Sequence, residues 1–437
     1  MLQRIFRRLL LGIGQTQEKD LAMSYDIPEN DARYYSLHGL FTLKIGGCRD
    51  SVAEGLDREL CRFRTKSEKP DLSIAFGSFP SDEWVPKGFS IDKNLFYDRD
   101  SSSTTVLWKT TSVIKRSDVR YILFGDVKKP DDNISVYVPS TNISRRRRPK
   151  YWRSIPQELL RRNWAKAALL ALRRESFYPF ETIDNAVNEI LMIIVQPYLY
   201  YRLPTRGYSF VHGSAVSSED GSGTIFFGTS NVGKTRVALQ MAKQGMDFLG
   251  DDLAIVGPKG EGFSYPKRVR IEPQDTLIYP KLMTLIRSNM DGRERFVFDV
   301  TRRFSKGRAI DINVRLPITD LLSNTKIRDS FRLRTFIHVK RVIGSEPSIR
   351  DLDGDSCMNI LTSELFWQFG TGGKQEYVSC PSYANGRFLE EEASHYSRVT
   401  QIISKAVGSG VKCVELQIPT HFEAEHVGQM INKVISS

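Results

Sequence analysis

Residues 224–257 read TIFFGTSNVGKTRVALQMAKQGMDFLGDDLAIVG. The opening TIFF is short, apolar and β-prone, which predicts a buried strand. It runs into the loop GTSNVGKT. From Lys234 to about Lys243 the apolar residues return at helical spacing, and Gly245 supplies the stop. FLG then predicts a second strand that ends on Asp251-Asp252, and LAIVG (253–257) continues the sheet. Strand, glycine loop, helix and strand together make a βαβ unit, which sets the fold of this part of the chain as α/β.

The loop satisfies G-x-x-x-x-G-K-[ST] over Gly228, Thr229, Ser230, Asn231, Val232, Gly233, Lys234 and Thr235. Two glycines at this spacing let the backbone curl so that successive N–H groups face inward around phosphate oxygens. The helix that follows adds its positive N-terminal end. Lys234 is then the counter-charge for the β- and γ-phosphates of a nucleotide, and the Thr235 hydroxyl is a ligand for Mg²⁺. All eight residues are expected to hold nucleotide. The bland alternative is a glycine-rich turn carrying an exposed lysine. Asp251 and Asp252 follow Lys234 by 17 and 18 residues. Adjacent strand residues point to opposite faces, so one carboxylate is expected toward the phosphates and the other toward the metal or the loop. Taken alone, such a pair is an ordinary cap or solvated turn.

Outward from this unit, YSFVH (208–212) predicts a strand, SSEDGSG (217–223) a turn, and segments within 319–342 and 411–419 further strands of the same domain. Lys267, Arg268 and Arg270 place basic residues after the Asp pair; one would serve an acceptor, or all would line a solvated strand edge. Toward the N-terminus, 35–47, 71–79, 104–110, 120–127 and 133–140 read as strands and 52–63 as a helix. The expected organisation is an α+β domain over 1–145, a basic helical connector over 146–205, and an α/β catalytic domain over 206–437. Within the connector, 155–175 and 182–201 have helical periodicity, with Pro197 marking a kink or an end.

At 437 residues the chain is long enough for two domains, and 40% hydrophobic with 26% charged residues describes a globular protein. No apolar run reaches the roughly 20 residues that a spanning helix needs. The basic, amphipathic start MLQRIFRRLLLGIG reads as a surface or docking helix. Five scattered cysteines without a CxxC pair argue for a reducing cytoplasm and against structural zinc. A net charge of +12 favours acidic partners, and Arg145–Arg148 is its densest run. That run reads as a solvated linker; its rival is an RNA-binding patch.

HGSAV, a glycine turn and then GTSNVGKTRVALQMAKQGMDFLGDD resemble the C-terminal domain of HPr kinase/phosphorylase, whose fold is shared with the phosphoenolpyruvate carboxykinases. His212-Gly213, Ala238-Leu239, Gly245 and Asp251-Asp252 occupy the corresponding places, without a gap between Lys234 and Asp252. The likeness covers about 205–260 well and the remainder loosely. It implies an ATP- and Mg²⁺-dependent kinase in which Asp251 is the base for an acceptor hydroxyl, Asp252 assists the metal, and His212 sits beside the transferred phosphate. His38, His338, His395, His421 and His426 are expected to be structural or exposed. Arg236 stands where those kinases carry an acid, and their later glycine-rich signature is missing, KGRAIDINVRLP (306–317) being a faint echo. The expected acceptor is therefore a hydroxyl on an unidentified small molecule, protein or RNA, with a homo-oligomer compatible. The rivals are a nucleotide-sensing regulator without transfer, and an RNA-acting or RNA-binding protein using the basic region 145–174.

Overall fold

The computed structural model describes residues 29–47, 51–66, 69–77, 95–98, 105–111, 118–124, 134–139, 187, 190–265, 268–271, 280–288, 295, 314–316, 318–322, 325–344, 346–370, 388–419 and 424–436. The N-terminal amphipathic stretch, Arg145–Arg148, the helix expected over 155–175, Lys267 and His421 lie outside them. The chain divides into two compact units. The first is Met1–Arg145, Ile183–Gly207 and Trp367–Val399; the second is Arg146–Thr182, Tyr208–Phe366 and Thr400–Ser437.

The first unit holds an eight-stranded mixed sheet. Its strands are β1 (Arg33–Leu37), β2 (Phe41–Gly46), β3 (Arg64–Thr65), β4 (Leu72–Gly77), β5 (Leu95–Asp98), β6 (Thr105–Thr111), β7 (Asp118–Phe124) and β8 (Ile134–Pro139), in the order β3-β1-β2-β4-β8-β7-β6-β5. Helix α1 (Ser51–Leu60) connects β2 to β3 and buries Val52, Ala53, Leu56 and Leu60. The stretch 35–47, expected as one strand, is a hairpin. His38 and Gly39 both have positive φ, 56° and 71°, and this pair of left-handed residues reverses the chain so that Leu37 faces Phe41. Near Pro197, a π-helical turn (Leu191–Val195) passes directly into α2 (Gln196–Arg202), so the proline opens a new α-helical run. Tyr198 of α2 donates its hydroxyl to the Asp71 carbonyl at 2.9 Å.

The second unit is built on β9 (Ser209–Ser217), β10 (Ser222–Phe227), α3 (Lys234–Lys243), β11 (Asp247–Gly250), β12 (Leu253–Val256), β13 (Glu261–Ser264), β14 (Val269–Ile271), α4 (Pro280–Ser288), β15 (Val314–Leu316), β16 (Ser330–Val342), β17 (Ser348–Asp351), α5 (Gly354–Gly370), α6 (Phe388–Gly408), β18 (Lys412–Pro419) and α7 (Ala424–Ser436), except that the end of α5 from Trp367 and the part of α6 up to Val399 belong to the first unit. Its sheet runs β10-β9-β12-β13-β16-β18-β17, and β10 also pairs with β16, so five of the strands close on themselves. β14 and β15 form a separate antiparallel pair.

β10 and β11 are both antiparallel to β9 and therefore parallel to each other. Helix α3 thus joins two parallel strands that are not neighbours, because β9 lies between them. Val237, Ala238, Met241 and Ala242 of α3, with Val427 and Ile431 of α7, pack on Phe226, Ile337, Val339 and Leu416 of the sheet. That apolar layer holds the start of α3 against the end of β10, where the glycine loop lies.

Candidate functional site

The loop leaves β10 at Gly228, whose φ is 134°. A Cβ on this residue would stand 2.6 Å from the Val339 carbonyl oxygen, so both the conformation and the close approach require glycine. Thr229, Ser230 and Asn231 are exposed, whereas Val232 turns inward and is buried in the core under α3. Burying a valine side chain stabilises by roughly 1.5–3 kcal/mol, and here it pins the middle of the loop. Gly233, with φ 106°, is the N-cap of α3, and its carbonyl accepts the first helical hydrogen bond from Val237 N–H at 3.0 Å.

Lys234 is only 6% exposed. Its ammonium donates to the Gly228 and Thr229 carbonyls, both at 2.8 Å, so the charge is folded back across the loop. Buried ammonium groups are costly unless hydrogen-bonded, and these two carbonyls offset part of that cost.

Asp251 and Asp252 occupy the break between β11 and β12, along β9. Leu253 N–H donates to the Asp251 carbonyl at 2.8 Å, and Gly213 N–H donates to the Asp252 carbonyl at 3.1 Å. Asp252 has φ 66°, an uncommon value outside glycine. The two side chains separate accordingly: Asp251 is 1% exposed and Asp252 is half-buried.

The Asp251 carboxylate is the junction of the site. Its Oδ1 accepts the Thr235 hydroxyl at 2.7 Å and the Ser214 hydroxyl at 2.7 Å. Three segments that are remote in sequence meet at this one oxygen. A threonine whose proton is given to a carboxylate presents its oxygen lone pairs outward, and this is the donor state a hard divalent cation requires. The chemistry of Thr235 therefore fits Mg²⁺. Among the described residues no cluster of three or more His, Cys, Asp or Glu stands ready to hold a metal alone.

His212 lies on β9 opposite Leu253 of β12 and is 3% exposed. Its Nδ1 is 3.9 Å from Oε2 of Glu364, on α5. Burial pushes the Glu364 carboxyl above its ordinary range, and the nearby Lys234 ammonium pulls it partly back. The structure therefore brings together His212, Lys234, Thr235 and Asp251, all expected from sequence, and adds Ser214 and Glu364. Ser214 lay within the quoted HGSAV without a role. Glu364 had a legible signal: it falls beside the core-facing stripe Cys357, Leu361 and Leu365 of α5, where an acid is unexpected.

The remaining described histidines are structural or exposed. His338 stacks on Phe227 with centroids 5.3 Å apart and stands 3.4 Å from Glu415, which pairs with Arg350 at 2.8 Å. These four residues make one cross-strand row over β10, β16, β18 and β17. Burial depresses the His338 imidazole pKa, so the row is held mainly by packing and by the Arg350–Glu415 pair. His395 is buried beside Tyr200 and Tyr201, His38 stands edge-on to Phe63, and His426 is exposed.

No family model matches the sequence. Among curated proteins, the phosphoenolpyruvate carboxykinase (ATP) of Methylobacterium sp. (strain 4-46) is 40% identical over 78 residues. That stretch is 17% of this chain and 14% of the carboxykinase, so the chain spans a small part of that relative. The similarity is partial. Among the described residues no helix is long and apolar enough to cross a membrane.

Proposed function

We propose that the second unit is an ATP-dependent phosphotransferase that binds nucleotide on residues 228–235 and passes its γ-phosphoryl group to a hydroxyl. The observation that carries this reading is the 2.7 Å hydrogen bond from Thr235 to Asp251, which ties the start of the loop helix to the acidic turn. A glycine-rich turn with a solvated lysine has no need of that link. The partial likeness to an ATP-dependent carboxykinase supports the same nucleotide.

In this reading the backbone N–H groups of Gly228 to Gly233 and the N-terminus of α3 surround the phosphates. Lys234 exchanges its two carbonyl partners for β- and γ-phosphate oxygens. Thr235 and, on the more accessible side of the turn, Asp252 would hold Mg²⁺. The ion would supply charge neutralisation on the phosphoryl oxygens. Asp251, enclosed and bonded to two hydroxyls, keeps Thr235 in its donor state, and Ser214 keeps Asp251 oriented. His212 lines the same site from β9. The sequence-based assignment of Asp251 as the acceptor's base asks a carboxylate that is 1% exposed to reach that hydroxyl; its contacts favour the supporting role.

The test is a calorimetric titration of the full chain with ATP and Mg²⁺, followed by incubation with γ-labelled ATP and fractionated cell extract. Nucleotide binding with label appearing on an acceptor is the expected result. Binding without transfer to any acceptor or to water would leave a nucleotide sensor. Absence of binding would remove the assignment altogether.

A further inference from the structure

We propose that Glu364 of α5 is the general base of this site, accepting the proton of the hydroxyl that attacks the γ-phosphorus; this rests on the phosphotransferase reading above. Phosphoryl transfer from ATP to a neutral hydroxyl requires one proton acceptor. As the acceptor oxygen bonds to the γ-phosphorus, the bond from that phosphorus to the bridging oxygen of ADP breaks. ADP leaves with the electron pair, and the hydroxyl proton passes to a carboxylate and then to water.

Of the three acids of the site, Asp252 is assigned above to Mg²⁺, which leaves Asp251 and Glu364 to compete for this work. Asp251 is 1% exposed, and its Oδ1 already receives two hydroxyl protons. Glu364 differs on each count. Its side chain is 13% exposed, so it is reachable from the site while still largely out of water. Its Oε2 is buried and makes no hydrogen bond among the described residues. An orphaned carboxylate oxygen is costly, and one beside a nucleotide loop is suited to a substrate proton.

The position also fits. Lys234, which addresses the β- and γ-phosphates, acts electrostatically on Glu364 from the start of α3. His212 faces it from β9 at 3.9 Å. The charge of Lys234 and, when protonated, that of His212 favour the ionised form of Glu364. Burial opposes them and raises its pKa overall, which moves a carboxylate toward the range where proton transfer is efficient. His212, itself 3% exposed, is placed to orient Glu364.

The experiment uses the full chain with Mg²⁺–ATP and, as acceptors, water and the fractionated extract, reading ADP formation and, separately, ATP binding by calorimetry. Glu364→Gln is expected to slow ADP formation about 10²–10⁴-fold. The ATP Kd should stay within about threefold, since the loss lies in the transition state. The acid limb of the wild-type pH–rate profile, where the carboxylate becomes protonated as pH falls, should flatten in that variant. Glu364→Asp keeps the charge but withdraws it by a methylene; it should retain the acid limb at a rate at least about tenfold lower. Wild-type turnover in either variant overturns the assignment and leaves the phosphotransferase reading intact. A wild-type chain that binds ATP but forms no ADP overturns both, as does one that binds no ATP.

Discussion

Asp57 in the first unit and Asp251 in the second each gather several hydrogen bonds, in opposite ways. Asp57 sits near the surface and is held by Arg33 at 2.8 Å, Arg64 at 2.9 Å and the Tyr35 hydroxyl at 2.6 Å. Charge meets charge there, and the carboxylate serves to fasten α1 to β1 and β3. Asp251 is wholly enclosed and is approached by two neutral hydroxyls, with the Lys234 ammonium turned to backbone carbonyls nearby. Desolvating a carboxylate and an ammonium in one small region costs stability unless something else is gained. The Asp57 ion pairs stand where they cost little, whereas Asp251 and Lys234 are buried where, in the proposed reading, a ligand would use them. This is the pattern expected when strained and buried polar groups collect at a working site.

The contrast breaks most decisively at Lys234. Lys234→Ala should lower phosphoryl transfer by about 10²–10³-fold and weaken ATP binding, with the circular dichroism of the full chain unchanged. A variant that binds and turns over ATP as the wild type does would show that the buried ammonium is structural, like the Asp57 cluster. Asp251→Asn comes next. It keeps an acceptor oxygen for Thr235 and Ser214 but removes the charge, so the Mg²⁺ concentration needed for half-maximal binding or turnover should rise about 10–100-fold. Titrations of metal at fixed ATP read this directly, and an unchanged Mg²⁺ dependence would separate Asp251 from the metal.

Smaller effects sharpen the same comparison on the side of stability. Gly228→Ala forces a Cβ to within 2.6 Å of the Val339 oxygen at a φ of 134°. Unfolding by urea should report a loss of about 1–3 kcal/mol, together with weakened nucleotide binding. Normal stability in this variant would mean that the loop relaxes without its close approach to β16. The least effect is expected from Asp57→Asn, whose guanidinium partners are partly exposed: about 1 kcal/mol or less, read in the same unfolding assay, with no change in ATP affinity. An altered ATP affinity would show that the first unit contributes to the nucleotide site.

The comparison also shows which kinds of contact a sequence reveals. In the second unit, glycine spacing, helical period and a strand-end Asp pair are local patterns, and the loop, α3, β10, β11 and β12 were legible from them. In the first unit, the strand read over 35–47 proved to be two. Alternation of apolar residues continues through a three-residue reversal almost unbroken, and only the backbone angles of His38 and Gly39 separate the hairpin from a single strand.

By itself the sequence determined which stretch forms the glycine loop, where the lysine and threonine stand relative to it, and how far along the acidic pair lies. Those features depend on residue type and short spacing, because the helix and strand periods act over a few residues. The tertiary structure alone decided that β9 lies between the two parallel strands, that Ser214 and Thr235 share one oxygen of Asp251, and that Glu364 of α5 stands beside His212. These depend on strand pairing and helix packing between distant segments, for which the chain carries no local spacing rule. They are set only when the sheet closes and its apolar faces are covered.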